Sequence, residues 1–242
     1  MVLKSLPRIE RLDLAVITLP DWHPEVTNQP TASVYGYVIV HPDGPIVFDT
    51  GVGFGNDFID EVYEPECFRL DEALGAVGID TSSIVGVINS HLHFDHCGQN
   101  PLLYGTDVPF FVQRPEVDEV ERDRFYTDQA WALPPIAQRR LIDGDFEITE
   151  GVTILSTPGH TPGHQSVLIE SAEGRVVLAG QAVWELGEFV EERATASNVF
   201  SDAYHDVAID SVRRIKAFDP EAVFFAHCAA HRTNDSLRIA EQ

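Results

Sequence analysis

The sequence predicts an α/β (α+β) fold, a four-layer αββα sandwich that forms a single domain over residues 1–242. Two regions of the chain, residues 12–113 and 152–226, are rich in apolar and β-branched segments of strand length, and segments with helical spacing flank them. No low-complexity linker and no obvious repeat interrupts the chain. A chain of 242 residues can bury a substantial core, so one large domain accounts for both regions.

The first β-rich region contains several predicted strands and one predicted helix. The strands cover residues 12–19, 33–40, 45–49, 84–89 and 108–113. The second and third strands form a hairpin, since the Asp43-Gly44 step between them is typical of a tight turn. A proline-rich loop that carries Trp22 and His23 joins the first two strands. The helix covers residues 68–77, where apolar side chains recur with a helical period.

The second β-rich region follows a charged and aromatic segment, residues 114–140. Its strands cover residues 152–155, 166–169, 176–179 and 222–226, and a helix covers residues 203–218. We interpret the 114–140 segment as a surface helix followed by a lid over the functional site, which makes it a source of substrate specificity. An ordinary solvated helix and loop fits the same pattern nearly as well.

The charge and the cysteine content limit the classes of partner and compartment. The chain has 16 basic and 39 acidic residues, and the formal net charge of −23 disfavours nucleic acids and anionic membranes, although solubility explains it most simply. Three separated cysteines, Cys67, Cys97 and Cys228, include no CxxC pair, which favours a reducing compartment over a disulfide framework. The run Met1–Arg8 has no apolar leader pattern, and no run reaches transmembrane length, so we expect a cytoplasmic protein.

The densest group of metal-binding side chains lies at residues 91–96, which have the pattern His-x-His-x-Asp-His. Imidazole and carboxylate ligands together suit zinc or a neighbouring transition metal. The apolar run before them predicts a buried strand, so the ligands are expected on the loop at its carboxyl end. His91 and His93 are spaced to converge on one ion, while Asp95 and His96 point toward a second. The alternative is a solvated histidine-rich loop without a metal.

This run and three further motifs resemble the signature of the metallo-β-lactamase superfamily, and most closely that of its N-acyl homoserine lactone lactonase branch. The further motifs are Asp49-Thr50-Gly51, Thr157-Pro158-Gly159-His160-Thr161-Pro162-Gly163-His164, and His227 after the last predicted strand. They are scattered from about residue 33 to residue 228, so the resemblance covers most of the chain. It implies the same αββα sandwich, here of the metallo-β-lactamase-like type.

The resemblance also implies the remaining metal ligands. His160 would complete the first metal site with the first two histidines of the run, and the prolines and glycines around it fix a tight turn that aims its ring. His227 would join Asp95 and His96 at the second metal site. Taken alone, a histidine after an apolar strand is more often structural.

The resemblance also implies that two residues of these motifs hold the ligand residues in place without binding the metal themselves. Asp49 would hold ligand histidines through hydrogen bonds, although it could instead bond its own backbone in an Asx-turn. His164 matches a recurrent supporting position in the family, and an oriented structural histidine is an equal alternative.

Two positions depart from the family's pattern. Gln181 stands where the family has the aspartate that bridges both ions, and an amide is neutral and rarely bridges. Two divalent ions repel each other, so the loss of one negative charge would weaken at least one site. Trp184 stands where lactonases of this branch have a tyrosine that helps to polarise the substrate carbonyl, and an indole donates only through its N–H. We therefore expect one of three states, in order of preference: two bound metals, one metal at the first site, or a relic site with poor metal affinity.

The sequence thus predicts a metal-dependent hydrolase that uses a metal-bound hydroxide, oriented by Asp95, to open a lactone or a related carboxylic ester. Zinc is the expected metal, one or two per chain, with manganese or iron as alternatives. The changes at Gln181 and Trp184 leave two other functions open: a mononuclear hydrolase of a thioester, amide or cyclic imide, and a non-catalytic ligand-binding protein. The expected partner is a small molecule, and a homodimer fits the resemblance. Cys97 and Cys228, each next to a ligand histidine, are expected to be small buried residues.

Overall fold

The computed structural model of the protein describes residues 7–124, 126–171, 174–228 and 231–232. Residues 1–6 lie outside these ranges. They form most of the Met1–Arg8 run in which the sequence analysis found no apolar leader pattern. Within the described ranges, two sheets pack face to face, one from each β-rich region, which confirms the predicted mixed α/β fold. No helix of the described ranges is both long enough and apolar enough to cross a bilayer.

The two sheets follow the order of the chain. The N-terminal sheet consists of β1 (Arg8–Thr18), β2 (Thr31–His41), β3 (Gly44–Phe48), β4 (Glu66–Cys67), β5 (Gly86–Ile88), β6 (Phe110–Gln113) and β7 (Arg139–Ile142), in the spatial order β4-β1-β2-β3-β5-β6-β7. The C-terminal sheet consists of β8 (Phe146–Thr149), β9 (Val152–Ser156), β10 (Gln165–Ser171), β11 (Gly174–Gly180), β12 (Ala222–Phe225) and β13 (His231–Arg232), in the spatial order β13-β12-β11-β10-β9-β8. The pair β3 and β5 is parallel, and so is the pair β11 and β12.

The described part of the chain forms seven α-helices, and two of them cover the outer faces of the two sheets. The seven are α1 (Asp57–Tyr63), α2 (Leu70–Ala76), α3 (Phe94–Cys97), α4 (Arg114–Arg122), α5 (Gln129–Ala132), α6 (Leu186–Glu191) and α7 (His205–Ala217). On one side, Leu70 and Leu74 of α2 pack on the N-terminal sheet. On the other side, Val212 and Ile215 of α7 pack on the C-terminal sheet. The order of layers is therefore helix, sheet, sheet, helix, as predicted.

An apolar layer holds the two sheets together. It includes Tyr37 and Phe48 from the N-terminal sheet and Ile154 and Phe224 from the C-terminal sheet, all fully or almost fully buried. The buried hydroxyl of Tyr37 donates to the carbonyl oxygen of Phe225 at 2.6 Å, so a hydrogen bond also crosses between the sheets. Burial of these apolar surfaces is the main contribution to the stability of such a sandwich.

The parallel strand pairs bring the predicted site residues to one edge of the sandwich. Asp49 directly follows β3, and His91 lies three residues after β5. Gln181 directly follows β11, and His227 lies two residues after β12. Because the carboxyl ends of parallel strands meet at one edge of a sheet, these four residues from distant parts of the chain converge.

Several elements differ from the sequence prediction. The strand predicted from residue 84 begins only at Gly86: Ile84 caps a short helical turn, and Val85 is 44% exposed. The helix α1 and the short strands β7 and β8 were not predicted. β7 and β8 are only four residues long and have at most one buried residue each, so their apolar patterns are too short to mark a strand. The seven residues of α1 are too few for a convincing helical period, and only Ile59 among them is buried.

Candidate metal centre

Three imidazole nitrogens converge at the first cluster, which we define as His91, His93 and His160. Nε2 of His91 lies 3.0 Å from Nδ1 of His93, and Nε2 of His160 lies 3.1 Å from each of these two atoms. The first two residues come from the loop after β5, and the third comes from the loop between β9 and β10. The structure therefore brings together the three residues that the sequence predicted for the first metal site.

The turn that carries His160 fixes both the position and the tautomer of its ring. The preceding Gly159 has φ +154°, and a Cβ atom there would lie 2.6 Å from Cα of Ala208 in α7, so only glycine fits. Nδ1 of His160 donates to the carbonyl oxygen of Ser197 at 2.9 Å, because a carbonyl can only accept. Nε2 of the neutral ring therefore carries a lone pair and faces the other two nitrogens. This arrangement is the one that a bound metal ion stabilises.

The second cluster, which we define as Asp95, His96 and His227, places a carboxylate beside two imidazoles. Oδ2 of Asp95 lies 3.6 Å from Nε2 of His96 and 3.5 Å from Nε2 of His227. On the far side of each ring, Nδ1 of His96 donates to Asp49 and Nδ1 of His227 donates to the carbonyl oxygen of Ser33, each at 2.8 Å. In their neutral forms both rings therefore present bare Nε2 atoms to a carboxylate. Two ring nitrogens that can present lone pairs, together with one carboxylate, form a donor set that fits a divalent metal.

Gln181 directs its side chain into the second cluster. Its Oε1 lies 3.2 Å from Nε2 of His96 and 3.1 Å from Nε2 of His227. Its backbone N–H donates to Nε2 of His164 at 3.1 Å, and the other ring nitrogen of His164 lies 3.0 Å from the hydroxyl of Thr157. His164 is therefore a fully buried support for the backbone of Gln181, behind the converging nitrogens and not among them.

Asp49 supports the metal-binding loop through its carboxylate. The carboxylate accepts the backbone N–H of Ser90 at 2.6 Å and the hydroxyl of Ser90 at 2.7 Å, in addition to Nδ1 of His96. Asp49 has φ +61°, a left-handed conformation that is uncommon for residues other than glycine, and these three bonds hold it in place. The structure thus favours the predicted supporting role over the Asx-turn.

A buried carboxylate that the sequence analysis did not single out, Glu116 of α4, joins the loops of the first cluster. Its Oε1 accepts the backbone N–H of Leu92 at 2.9 Å and the hydroxyl of Tyr126, and its Oε2 accepts the hydroxyl of Thr161 at 2.7 Å. Leu92 separates the two histidines of the loop, and Thr161 follows the third histidine. Burial raises the pKa of Glu116, although these donors oppose the shift. An acidic residue in the first turn of a helix is ordinary, so no sequence signal marked Glu116.

The two clusters differ in their protonation. Burial lowers the pKa of all three rings of the first cluster, that of His93 to about 4, so these rings are neutral at pH 7. Burial also lowers the pKa of His227 to about 4. Burial has the same tendency at His96, but the carboxylates of Asp95 and Asp49 outweigh it and raise the pKa of this ring to about 9.

Residues of both clusters line one cavity of about 810 Å³. Much of the remaining wall is apolar or aromatic: Ile17, Leu19, Phe58, Ile59, Tyr63 and Phe94. The segment after α4 contributes Arg124, Tyr126 and residues 127–129 to this wall. The predicted surface helix of the 114–140 segment is therefore α4, and the residues after it border the site, as expected for a source of specificity.

Trp184 lies buried beside the second cluster. Its ring stacks on that of His227, with the ring centroids 4.5 Å apart, and only 3% of the residue is exposed. Within the described residues its Nε1 has no hydrogen-bond partner and is closed off from solvent. Trp184 therefore lines the cavity with part of its ring, and its N–H group does not open into that space.

The three cysteines are free thiols, and none of them belongs to either cluster. Cys97 is fully buried, as expected, but the same expectation was wrong for Cys228, which is partly exposed, as is Cys67. Burial raises the pKa of Cys67 to about 11 and that of Cys228 to about 12, and it raises the pKa of Cys97 strongly. All three are therefore protonated at neutral pH and unsuited to metal ligation or nucleophilic attack.

Known proteins share this architecture. Residues 30–227 match the family model of the metallo-beta-lactamase superfamily. The chain is 32% identical to an N-acyl homoserine lactonase of a Bacillus species over 210 residues, 80% of each chain. A crystal structure of a Bacillus thuringiensis AiiA mutant with N-decanoyl-L-homoserine bound at the active site superimposes with a TM-score of 0.75 at 28% identity, over 92% of this chain and 94% of that one.

A second solved structure is similar to the same extent. It is an N-acyl homoserine lactone hydrolase with the product N-hexanoyl-L-homoserine bound at its catalytic metal centre, with a TM-score of 0.72, 28% identity and 93% coverage of both chains. The matched family region includes every residue of the two clusters. The predicted resemblance and the predicted hydrolase class are thereby confirmed. The chain belongs to the metallo-β-lactamase superfamily and is a metal-dependent hydrolase of that superfamily.

Proposed function

We propose that this hydrolase opens the ring of a lactone that carries an apolar substituent. The observation that carries the proposal is the position of both clusters on one cavity of about 810 Å³ with a largely apolar wall. A cavity of this size matches a small-molecule ligand, and its apolar wall favours an acyl chain or a similar group. The relatives named as N-acyl homoserine lactonases support the lactone class.

We assign the first cluster to one metal ion and the second cluster, with Oε1 of Gln181, to another. Imidazole and carboxylate ligands favour zinc, and manganese or iron would also accept this donor set. When bound, such an ion supplies Lewis acidity at the scissile carbonyl and lowers the pKa of a coordinated water to about 7. Gln181 adds a neutral oxygen where a carboxylate would add charge, so the second ion is expected to bind more weakly than the first.

Asp95 is the residue that we assign to proton transfer. Burial disfavours its charged form, but the imidazoles of His96 and His227 outweigh burial and hold the pKa of Asp95 below its usual value. The carboxylate is therefore ionised at neutral pH and can accept a proton from the attacking water. It lines the cavity, so it can return that proton to the ring oxygen that leaves the carbonyl carbon.

A second candidate function is the hydrolysis of another carboxyl derivative, such as a thioester, amide or cyclic imide, at a single metal in the first cluster. The neutral amide of Gln181 in the second cluster and the closed N–H of Trp184 are the observations that favour it. A protein that binds a small ligand without turnover is the remaining alternative, but all six ligand positions of the two clusters are intact.

Four further expectations accompany this proposal, and they concern location, substrate class, oligomeric state and domain organisation. A cytoplasmic location is supported by the three free thiols. A small molecule is a better substrate class than nucleic acid, because a net charge of −23 repels phosphate backbones. A homodimer and a single domain spanning residues 1–242 stay predictions.

The decisive experiment combines metal content with a substrate panel. Protein purified without chelator is analysed for zinc, manganese and iron. Hydrolysis of acylated and unacylated lactones, thioesters and amides is followed by chromatographic quantification of the products. We expect between one and two metal equivalents and faster turnover of lactones with longer acyl groups. Turnover confined to thioesters or amides, with one equivalent, would favour the second candidate. Metal binding without any turnover would leave the ligand-binding alternative.

A further inference from the structure

His23 places an uncommitted N–H donor on the wall of the cavity. The residue lies in the proline-rich loop between β1 and β2, is partly buried, and lines the cavity. The backbone N–H of Glu25 donates to Nδ1 of His23 at 3.2 Å. An accepting Nδ1 carries no proton, so the hydrogen of the neutral ring resides on Nε2. Among the described residues, none accepts a hydrogen bond from this Nε2–H group.

The loop that carries His23 is fixed to the frame of the first cluster. Glu25 is 6% exposed, and its carboxylate accepts hydrogen bonds from the hydroxyl of Ser197 at 2.7 Å and from the side-chain amide of Asn28 at 3.1 Å. The backbone carbonyl of the same Ser197 orients the ring of His160. A single residue therefore links this loop to a ligand of the first cluster, so His23 is held at a defined place relative to the metal ligands.

The ring of Trp184 packs against His23 on the side of the second cluster. The centroids of the two rings are 5.2 Å apart, and the other neighbour of the indole is His227. Because Nε1 of Trp184 is closed off from solvent, the indole cannot donate to a ligand in the cavity in this arrangement. The hydroxyl of Tyr126 is also committed, since it donates to Glu116. Of the aromatic donors that line the cavity outside the two clusters, His23 and Tyr63 are the ones that the described part of the chain leaves available for a substrate.

The geometry points to a contact between Nε2–H of His23 and the substrate oxygen that gains negative charge as the lactone opens; we propose that this contact makes His23 a further catalytic residue. The inference rests on the proposed lactone function. His23 is preferred to Tyr63 because its tautomer is set by Glu25 and its ring is supported by Trp184. A donor placed in advance stabilises developing charge without reorganisation, which lowers the barrier more than it improves ground-state binding.

The test compares His23→Ala and His23→Gln with the wild type on one acylated lactone, all loaded with the same metal. Removal of one such donor typically costs about 100-fold to 1,000-fold in kcat, and a partly exposed donor less, so we expect a loss of about tenfold to 100-fold for His23→Ala. KM is expected to change less than kcat. His23→Gln retains an N–H group near Nε2 and is expected to recover part of the loss. His205→Ala, at the exposed start of α7, is the matched control and is expected to behave as the wild type.

Several outcomes separate this inference from the proposed function. A wild type that opens no lactone overturns both. An active wild type with an equally active His23→Ala variant overturns the role of His23 alone. A loss of kcat in Tyr63→Phe, without one in His23→Ala, assigns the donor to the phenol instead. Metal content and melting temperature must match the wild type in each variant, since a structural role would change these.

The tautomer gives a readout that does not depend on turnover. Nitrogen-15 NMR of the histidine rings distinguishes Nε2–H from Nδ1–H in the neutral form. We expect the Nε2–H form for His23, with assignment by comparison with the His23→Gln spectrum. An Nδ1–H form would contradict the hydrogen bond from Glu25 and overturn the proposal, whatever the substrate.

Discussion

The two metal-binding clusters lie side by side on one cavity but are built differently. The first cluster consists of three neutral rings whose nitrogens lie within 3.0–3.1 Å of one another. The second cluster mixes a carboxylate with two rings, one neutral and one charged in the metal-free chain, and receives the amide oxygen of Gln181. The first cluster is thus complete in its own ligands, whereas the second depends on a position where this chain lacks a carboxylate.

This difference indicates a division of roles between the clusters. A converged set of three neutral nitrogens is suited to hold an ion permanently. A site with one carboxylate and a neutral amide offers less charge to offset the repulsion between two ions. We therefore expect the first cluster to retain its metal on purification and the second to exchange its metal more readily.

The largest expected effect is the loss of the first cluster. His160→Ala removes one of three ligands and is expected to lower kcat/KM at least ~1,000-fold, since a bound metal supplies several kcal/mol of transition-state stabilisation. His227→Ala, the corresponding change in the second cluster, is expected to cost less. Elemental analysis and steady-state kinetics on both variants check this order. Equal losses of metal and activity would show that the clusters act as one unit and would contradict the division.

Glu116→Ala is expected to destabilise the fold and the first cluster together. The change leaves the N–H of Leu92 and the hydroxyl of Thr161 buried without an acceptor, which should lower the free energy of unfolding by about 3 kcal/mol. Urea unfolding of the metal-free protein measures this loss. Glu121→Ala, an exposed position on the same helix, is the control and should be within about 0.5 kcal/mol of the wild type.

The effect of Glu116→Ala on metal affinity should be larger at the first cluster, because Leu92 and Thr161, which donate to its carboxylate, are directly next to the three histidines of that cluster. Calorimetric titration of the folded variant with zinc distinguishes the two sites. Weaker zinc binding at the second cluster with unchanged binding at the first would show that Glu116 does not act through the first cluster, and would contradict the prediction.

Gln181→Asp is expected to reduce the difference between the clusters. The carboxylate adds one negative charge beside the second cluster and should tighten its metal binding by about tenfold to 100-fold. Gln181→Asn has the same shortened side chain without the charge, so the pair separates charge from length. Calorimetric titration with zinc measures both affinities. Equal affinities for the two variants would rule out missing charge as the cause of a weak second site.

The smallest expected effect concerns the cysteines beside the second cluster. Cys97 and Cys228 follow the two histidine ligands of this cluster directly, yet burial raises the pKa of both thiols. Native protein treated with iodoacetamide at pH 7 should therefore keep its activity, with little alkylation found by mass spectrometry. Rapid inactivation that parallels alkylation of Cys228 would assign that thiol a role in the site.

The sequence was sufficient to predict which residues form the two clusters because their pattern is local. Five of the six cluster residues lie in two short motifs, where spacing and the flanking strand determine which way each side chain points. The sandwich followed from the two β-rich regions, whose long strands have clear apolar patterns. The short strands β7 and β8 were missed because few of their side chains are buried.

The residues that support the site were harder to predict because their contacts join distant segments. Glu116 resembles any acidic residue at the start of a helix, and only the fold shows that it meets Leu92 and Thr161. The contact of His23 with Trp184 likewise connects an N-terminal loop to the segment after β11. No spacing rule links such pairs, so an isolated sequence carries no signal for them.

The placement of the ligands along the chain also sets an order of synthesis. A ribosome makes the three histidines of the first cluster, the last at residue 160, well before it makes residue 227. The strand β12, which positions that residue, is translated after all three histidines of the first cluster. A growing polypeptide therefore carries all the side chains of the first cluster while the second still lacks one, and the ring of His160 is oriented only after Ser197 and α7 have also been made.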